Sequence, residues 1–232
     1  MMFEFMDIIC LIVLGLVVYL IYEIRKSKTN QSLKEPTKEQ DNLEIITPKV
    51  LSKKQVQIIG VGGGGSNIVE YLTSSYPKQY TSLIINSDKK ALESKKVKNK
   101  ILLEKPDGYG CGSNEKCGFS LIDTNSLDKI KNFITKKRVY IVVTLGGGVG
   151  SGSTKAIVQS LYESGKKVHL IAIKPFSWEG AKKSIRANDT LEFIESYCKK
   201  IYLLENDTLK QHKELSMKEC FEILNEKVHQ VI

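Results

Sequence analysis

Three glycine clusters, each placed directly behind an aliphatic run, are the residues of this chain best suited to chemistry. They are Gly60-Val-Gly62-Gly63-Gly64-Gly65-Ser66-Asn67, Gly108-Tyr-Gly110-Cys111-Gly112, and Gly146-Gly147-Gly148-Val149-Gly150-Ser151-Gly152. Without a Cβ, consecutive backbone N–H groups can converge on an anion, and a helix that starts there adds about half a positive charge. Two such helix starts at neighbouring strand ends would cradle a di- or triphosphate. A second pair could read a base. Phe221 and Asn225 stand one helical turn apart, so a ring for stacking and an amide for hydrogen bonding share one face.

Two standard nucleotide loops fit poorly. Gly60-x-Gly62-x-x-Gly65 formally satisfies the dinucleotide fingerprint, but Asn86, not an acid, ends the second strand where ribose hydroxyls would be taken. A Gly-Lys-Ser/Thr triplet is missing, since Ser153-Thr154-Lys155 has the wrong order.

The elements that must position these loops alternate. Short β-branched or aliphatic runs predict strands at 56–61, 82–86, 101–103, 139–145, 167–173 and 200–206. Amphipathic stretches predict helices over 67–72, 127–134, 153–163 and 183–197. Ser216 and Glu219 form a capping-box pattern before a last helix, with Phe221, Leu224, Val228 and Val231 expected on its apolar face. The reading is α/β: a Rossmann-like three-layer domain with a mostly parallel sheet and its ligand site at the carboxyl ends of the strands.

The chain has 232 residues, 41% apolar and 26% charged, enough for a sizeable core and incompatible with wholesale disorder. Lys+Arg 35 against Asp+Glu 26 gives a net charge of +9, which suits an anionic membrane face or a nucleic acid. Aromatic interleaving and a reader motif are missing, so nucleic acid is not an expected partner. Ile8 to Tyr22 is an unbroken apolar stretch, preceded by Glu4 and Asp7 and followed by Arg25, Lys26 and Lys28. That order predicts a transmembrane anchor over 1–24, single-pass, with the C-terminal part cytoplasmic; a cleaved signal peptide is the rival. Residues 25–54 read as a flexible basic linker, and 55–232 as the folded domain.

The remaining candidates look bland. The five cysteines lack metal spacing, and a reducing compartment makes Cys111 and Cys117 free thiols by default, although a disulfide there would stiffen the second glycine cluster. His169, His212 and His229 are scattered, and Lys136-Lys137-Arg138 reads as a solvated helix end.

From about Gln55 to Ile232 the sequence resembles the tubulin/FtsZ family. VQIIGVGGGGSN is similar to the family's first phosphate loop, INSDKKAL to its second-strand loop, GYGCGSNEKCG to the loop near the γ-phosphate and LGGGVGSG to the tubulin signature. KPFSWEG, Asn206-Asp207 and Phe221 with Asn225 resemble the sugar and base contacts.

The resemblance implies GTP or GDP as ligand, with Mg2+ held through the phosphates. The implied nucleotide contacts are Gly62 to Asn67, Asn86, Asp88, Gly110 to Gly112, Gly146 to Gly152, Pro175, Glu179, Lys183, Asn206, Phe221 and Asn225. Glu179 would accept from ribose hydroxyls, and Asn206 would touch the base or sugar. Val149 departs from a threonine and removes one hydroxyl; Lys183 departs from an arginine and trades a planar fork for a point charge. The family's acidic Asn-x-Asp-x-x-Asp-like loop does not occur before Ile232, so little or no hydrolysis is expected from this sequence by itself.

Three functions stay open. One is a membrane-anchored guanine-nucleotide-binding module that caps or nucleates a filament of an FtsZ-type partner, or self-associates. Another is a polymerising GTPase acting in trans or as part of a longer gene product. The last is an NAD-binding Rossmann domain.

Overall fold

The computed structural model describes residues 55–105, 110–211 and 214–232. The predicted anchor and linker lie outside the described residues; among those described, no helix is long and apolar enough to cross a membrane.

Among the described residues, six strands and seven helices follow one another. β1 (Val56–Val61), α1 (Gly62–Ser75), β2 (Tyr80–Asn86), α2 (Lys89–Glu93) and β3 (Asn99–Leu102) form the first half. α3 (Glu115–Ser120), α4 (Thr124–Phe133), β4 (Arg138–Thr144), α5 (Gly148–Glu163), β5 (Lys167–Lys174), α6 (Ala181–Glu195), β6 (Lys200–Glu205) and α7 (Met217–Val231) complete it. All strand pairs are parallel, in the order β3-β2-β1-β4-β5-β6. The central strands are covered on both faces, which is why β1, β4 and β5 are mostly apolar on both faces and do not alternate with polar residues.

One face packs Ile59, Ile141 and Leu170 against Ile130, Ile157, Leu161 and Ile194 of α4, α5 and α6. The other packs Ile58, Val142 and Ile171 against Ile68, Leu72, Leu224 and Val228 of α1 and α7. Each such fully buried aliphatic side chain contributes about 1.5–3 kcal/mol before the entropy of ordering is set against it. Between β1 and β4 the connections leave for opposite faces, α1 to one and α5 to the other, and at such a switch point a crevice opens above the strand ends.

The strands fall where the sequence predicts them, but the four predicted helices start earlier, two of them by five residues or more. α1 begins at Gly62 and α5 at Gly148, so the glycine runs themselves form the first helical turns. Glycine lacks apolar periodicity and costs about 1 kcal/mol in a helix interior, so this extension is invisible to a pattern reading. α2 and α3 were not expected either; Asp88 and Asn114 cap them by accepting from Ala91 N and Cys117 N. On α7 the buried residues are Cys220, Leu224 and Val228, while Phe221 is 43% exposed and so is not part of the apolar face assigned to it.

α7 runs the full depth of the sheet. Its first turns lie above the strand ends, and at its other end His229 Nδ1 sits 2.5 Å from Tyr80 Oη at the start of β2. There Tyr71 and Tyr76 donate to the two oxygens of Glu226, at 2.8 and 2.7 Å, and Tyr76 stacks on the imidazole at 3.8 Å.

Candidate functional site

The glycine turns meet at one margin of the sheet. Gly62 has φ +74°, and a Cβ there would come within 3.0 Å of Gly150 N, so the first and third clusters touch backbone to backbone. Gly148 N donates to Gly112 O at 2.8 Å, and a Cβ at Gly148 would lie 2.8 Å from that oxygen and from Asn114 O. The second cluster is tied to β2 as well, because Cys111 N donates to Ser87 Oγ and Ser87 N donates to Asn86 Oδ1. Residues 106–109 of that cluster lie outside the described residues.

Two of the helix starts at this margin differ from most others. α2, α3, α4 and α7 carry side-chain caps from Asp88, Asn114, Asp123 and Ser216. α1 and α5 have none, their cap positions being Val61 and Gly147. Gly148 N is taken by Gly112 O, and without side-chain caps the other N–H groups of these first turns are left for an outside acceptor; a Cβ at Gly63, Gly112 or Gly147 would meet nothing within 4 Å, so the space beside them is open. The nearby lysines are already paired: Lys183 Nζ with Glu179 at 2.8 Å and Lys155 Nζ with Glu115 at 2.5 Å. The positive potential therefore comes chiefly from the backbone, with Arg186, which donates to Gly146 O, as a cation beside the third cluster.

Beside the turns lies a cavity of about 420 Å³, within the range of small-molecule sites. Gly64, Asn67, Glu179, Asn206, Phe221 and Asn225 all line it, so the predicted aromatic–amide couple and the first glycine cluster share one space. Asn206 is 7% exposed, yet its Oδ1 has no hydrogen-bond partner, a vacancy that costs about 1–3 kcal/mol unless a ligand fills it. Ser66 Oγ is likewise buried without a partner. An apolar ring, two amides and an unsatisfied acceptor beside a bank of amide donors fit a purine nucleotide.

Several predicted site residues are placed otherwise. Glu179 is engaged, accepting from Phe176 N at 2.8 Å as well as holding Lys183, so ribose hydroxyls would compete for its carboxylate. The Asp88 carboxylate is committed as a cap. Pro175 lines a separate, smaller cavity of about 190 Å³ with Lys174, Asn188 and Asp207. Val149 is buried in the apolar core, so its replacement of a threonine adds packing there, and only its N–H is left for the cradle. The expectation of free thiols is corrected: Cys111 and Cys117 form a disulfide across the second cluster. Cys111 is 8% exposed, and the turn at Gly112 with the cap at Asn114 folds α3 back so that the two sulfurs meet.

The sequence reading also missed residues. Thr144, the last residue of β4, lines the cavity against Gly64, and its position two residues before a glycine run was a usable signal. Trp178 lines it too, stacked on Phe176 at 4.1 Å, with Lys210 Nζ 4.9 Å from its ring centre. Arg186 donates to Gly146 O while Gly146 N donates to Ser151 Oγ, which together fix the third cluster.

The comparisons with known proteins agree with this geometry. A family model, described as the tubulin/FtsZ family GTPase domain, matches residues 55–214. The cell division protein FtsZ of Helicobacter pylori is 32% identical over 188 residues, covering 78% of this chain and 49% of that protein. The mitochondrial division protein fszB of Dictyostelium discoideum is 26% identical over 207 residues, covering 87% and 55%. Among solved structures, FtsZ of M. jannaschii superimposes with a TM-score of 0.68 at 26% identity, covering 76% of this chain and 54% of that one. CetZ2 from Haloferax volcanii, solved as a GTPγS-bound protofilament, gives 0.68 at 22% identity, covering 76% and 56%, a likeness of fold alone. The chain spans about half the length of the curated relatives it matches. It belongs to the tubulin/FtsZ family through its GTPase domain.

Proposed function

We propose that this member of the tubulin/FtsZ GTPase-domain family binds a guanine nucleotide across the margin where its glycine turns meet. The observation that carries the reading is one shared space: uncapped starts of α1 and α5 beside a cavity holding Phe221, Asn225 and the unpartnered Asn206 Oδ1. The amides of the three clusters would hold the phosphates, with any Mg2+ carried on phosphate oxygens, and Phe221 would stack on the base while Asn225 reads its edge. The test is nucleotide analysis of the purified full chain by heat release and chromatography, with thermal shifts in GTP, GDP, ATP and NAD. At a hundredfold excess over Kd, GTP should add about 2.7 kcal/mol of stability. If neither guanine nucleotide copurifies or shifts the transition, the reading fails; a shift with NAD alone would favour a dinucleotide domain.

For hydrolysis, we place the water-orienting group outside the described residues. The acids on the loops' own elements are occupied, Asp88 as a cap, Glu115 by Lys155 and Glu179 by Lys183, and phosphoryl transfer needs a residue that positions water. This supports a membrane-tethered interaction module that caps or nucleates filaments of an FtsZ-type partner. The apolar run 8–22 with cations behind it supports single-pass anchoring with the domain cytoplasmic. Co-sedimentation with a complete FtsZ-type protein from the same cell should depend on GTP; without that dependence the cap role is lost. Phosphate release by the full chain on its own would favour the polymerising-GTPase reading.

A further inference from the structure

The opposite margin of the sheet carries charge of another kind. Because the six strands are parallel, their first residues share one edge, away from the glycine turns. Three neighbouring strands start on a pair of cations: Lys137-Arg138 at β4, Lys166-Lys167 at β5 and Lys199-Lys200 at β6. Register sets Arg138 beside Lys167 and His169 beside Lys200, so the pairs stand in a row at the spacing of the strands.

Among the described residues none of these cations forms an ion pair. Lys166 donates to Ile134 O at 2.9 Å, and Lys200 lies 4.5 Å over the Tyr202 ring. Helices α4, α5 and α6 end at this edge, and their dipoles account for some attraction of lysine. The carboxylates of their last turns, Glu163 and Glu195, are paired with none of the six among the described residues. Burial, then the charges of Arg138, Lys200, Lys199 and Lys167, hold the His169 imidazole below its usual range.

The chain joins the sheet at the same place. Gln55 is the first described residue, Lys53 and Lys54 precede it, and the Lys-rich stretch 25–54 leads back to the apolar run 8–22. Gln57 donates to Phe133 O at 2.9 Å and accepts from Lys136 N at 2.8 Å, so β1 is bonded next to the first cationic pair.

We propose that this cationic margin rests on an anionic lipid surface, leaving the glycine turns directed away from it. The inference rests on the anchor reading for bringing the domain to a membrane, while the choice of face comes from the sheet. Each cation within a Debye length of an anionic leaflet gains roughly fivefold in binding, and salt removes the gain.

The test uses the full chain reconstituted into phosphatidylcholine vesicles, with and without phosphatidylserine. Hydrogen exchange before β4, β5 and β6 should slow several-fold on the anionic vesicles only, and recover in high salt. The change should vanish in a variant combining R138Q, K167Q, K199Q and K200Q, whose GTP-induced thermal shift reports that it folds. Trp178, the single tryptophan, lies on the nucleotide side and should escape quenching by brominated lipid. Equal exchange on both vesicle types, or quenching of Trp178, would overturn the proposal. A chain that fails to float with pure phosphatidylcholine refutes the anchor alone; salt-sensitive binding of wild type but not variant to anionic vesicles would still uphold the margin. Stronger protection at these starts by duplex DNA than by anionic vesicles would assign the surface to nucleic acid and overturn it.

Discussion

The two ends of this sheet are both electropositive, and they are made of different material. At the carboxyl end the positive character lies in backbone amides, held by glycine turns that touch at Gly62–Gly150 and Gly112–Gly148, while the neighbouring lysines are neutralised by Glu179 and Glu115. At the amino end it lies in side chains, Arg138, Lys167, Lys199 and Lys200, with no carboxylate paired to them among the described residues. Fixed dipoles discriminate by shape and act over a few ångströms. Mobile ammonium groups act over a Debye length and yield to salt. One fold thus offers a geometric anion site at one end and a diffuse one at the other.

Substitutions can pull the two ends apart. The largest effect is expected for Gly148→Ala, whose methyl would press on Gly112 O and Asn114 O. Overpacking of this kind costs about 1–3 kcal/mol of stability, and calorimetry should show GTP binding lost while binding to anionic vesicles persists. Phe221→Ala comes next. Its ring is 43% exposed, so the unliganded Tm should hold, whereas loss of stacking worth about 1–3 kcal/mol should weaken GTP by roughly five- to 150-fold in titration. Reducing the Cys111–Cys117 bridge, or Cys117→Ser, should lower chemical stability by about 2 kcal/mol, the loop-entropy value for so short a span, and loosen only the carboxyl end.

Mild acid should act at the amino end instead. Burial holds His169 and His229 below the usual imidazole value in the folded chain, so the unfolded chain binds the extra protons first. The stability they confer is complete above the unfolded pKa and drains away as pH falls through it toward the folded value. A Tm that declines by a few degrees from pH 7 to pH 5, and more weakly in His229→Gln, would sharpen the contrast; a flat profile would break it.

Much of this was legible in the residues, and the exceptions share a cause. The strands could be read because burial on both faces forces runs such as Val139 to Val143 to be apolar throughout. The convergence of the glycine clusters follows from alternating strands and helices once the sheet is parallel. Residues whose role depends on which strand end lies beside which could not be read: Thr144 and Arg186 acquire theirs from Gly64 and Gly146, 80 and 40 residues away in sequence, and Trp178 in part from Lys210, 32 residues away. Phe221 and Cys220 are adjacent on a helix, and a small rotation of that helix decided which one faced the core. The Cys111–Cys117 pairing depended on how a cap at Asn114 turned the backbone between them.

One consequence of α7 concerns measurement. A single 15-residue rod, about 22 Å long, bears Phe221 near its beginning and His229 near its finish, where the imidazole is clasped between Tyr76 and Tyr80. Any tilt or slide of this rod at its head would reach its tail, so the ring-proton resonances of His229 would serve as a remote gauge of that movement, read from across the molecule.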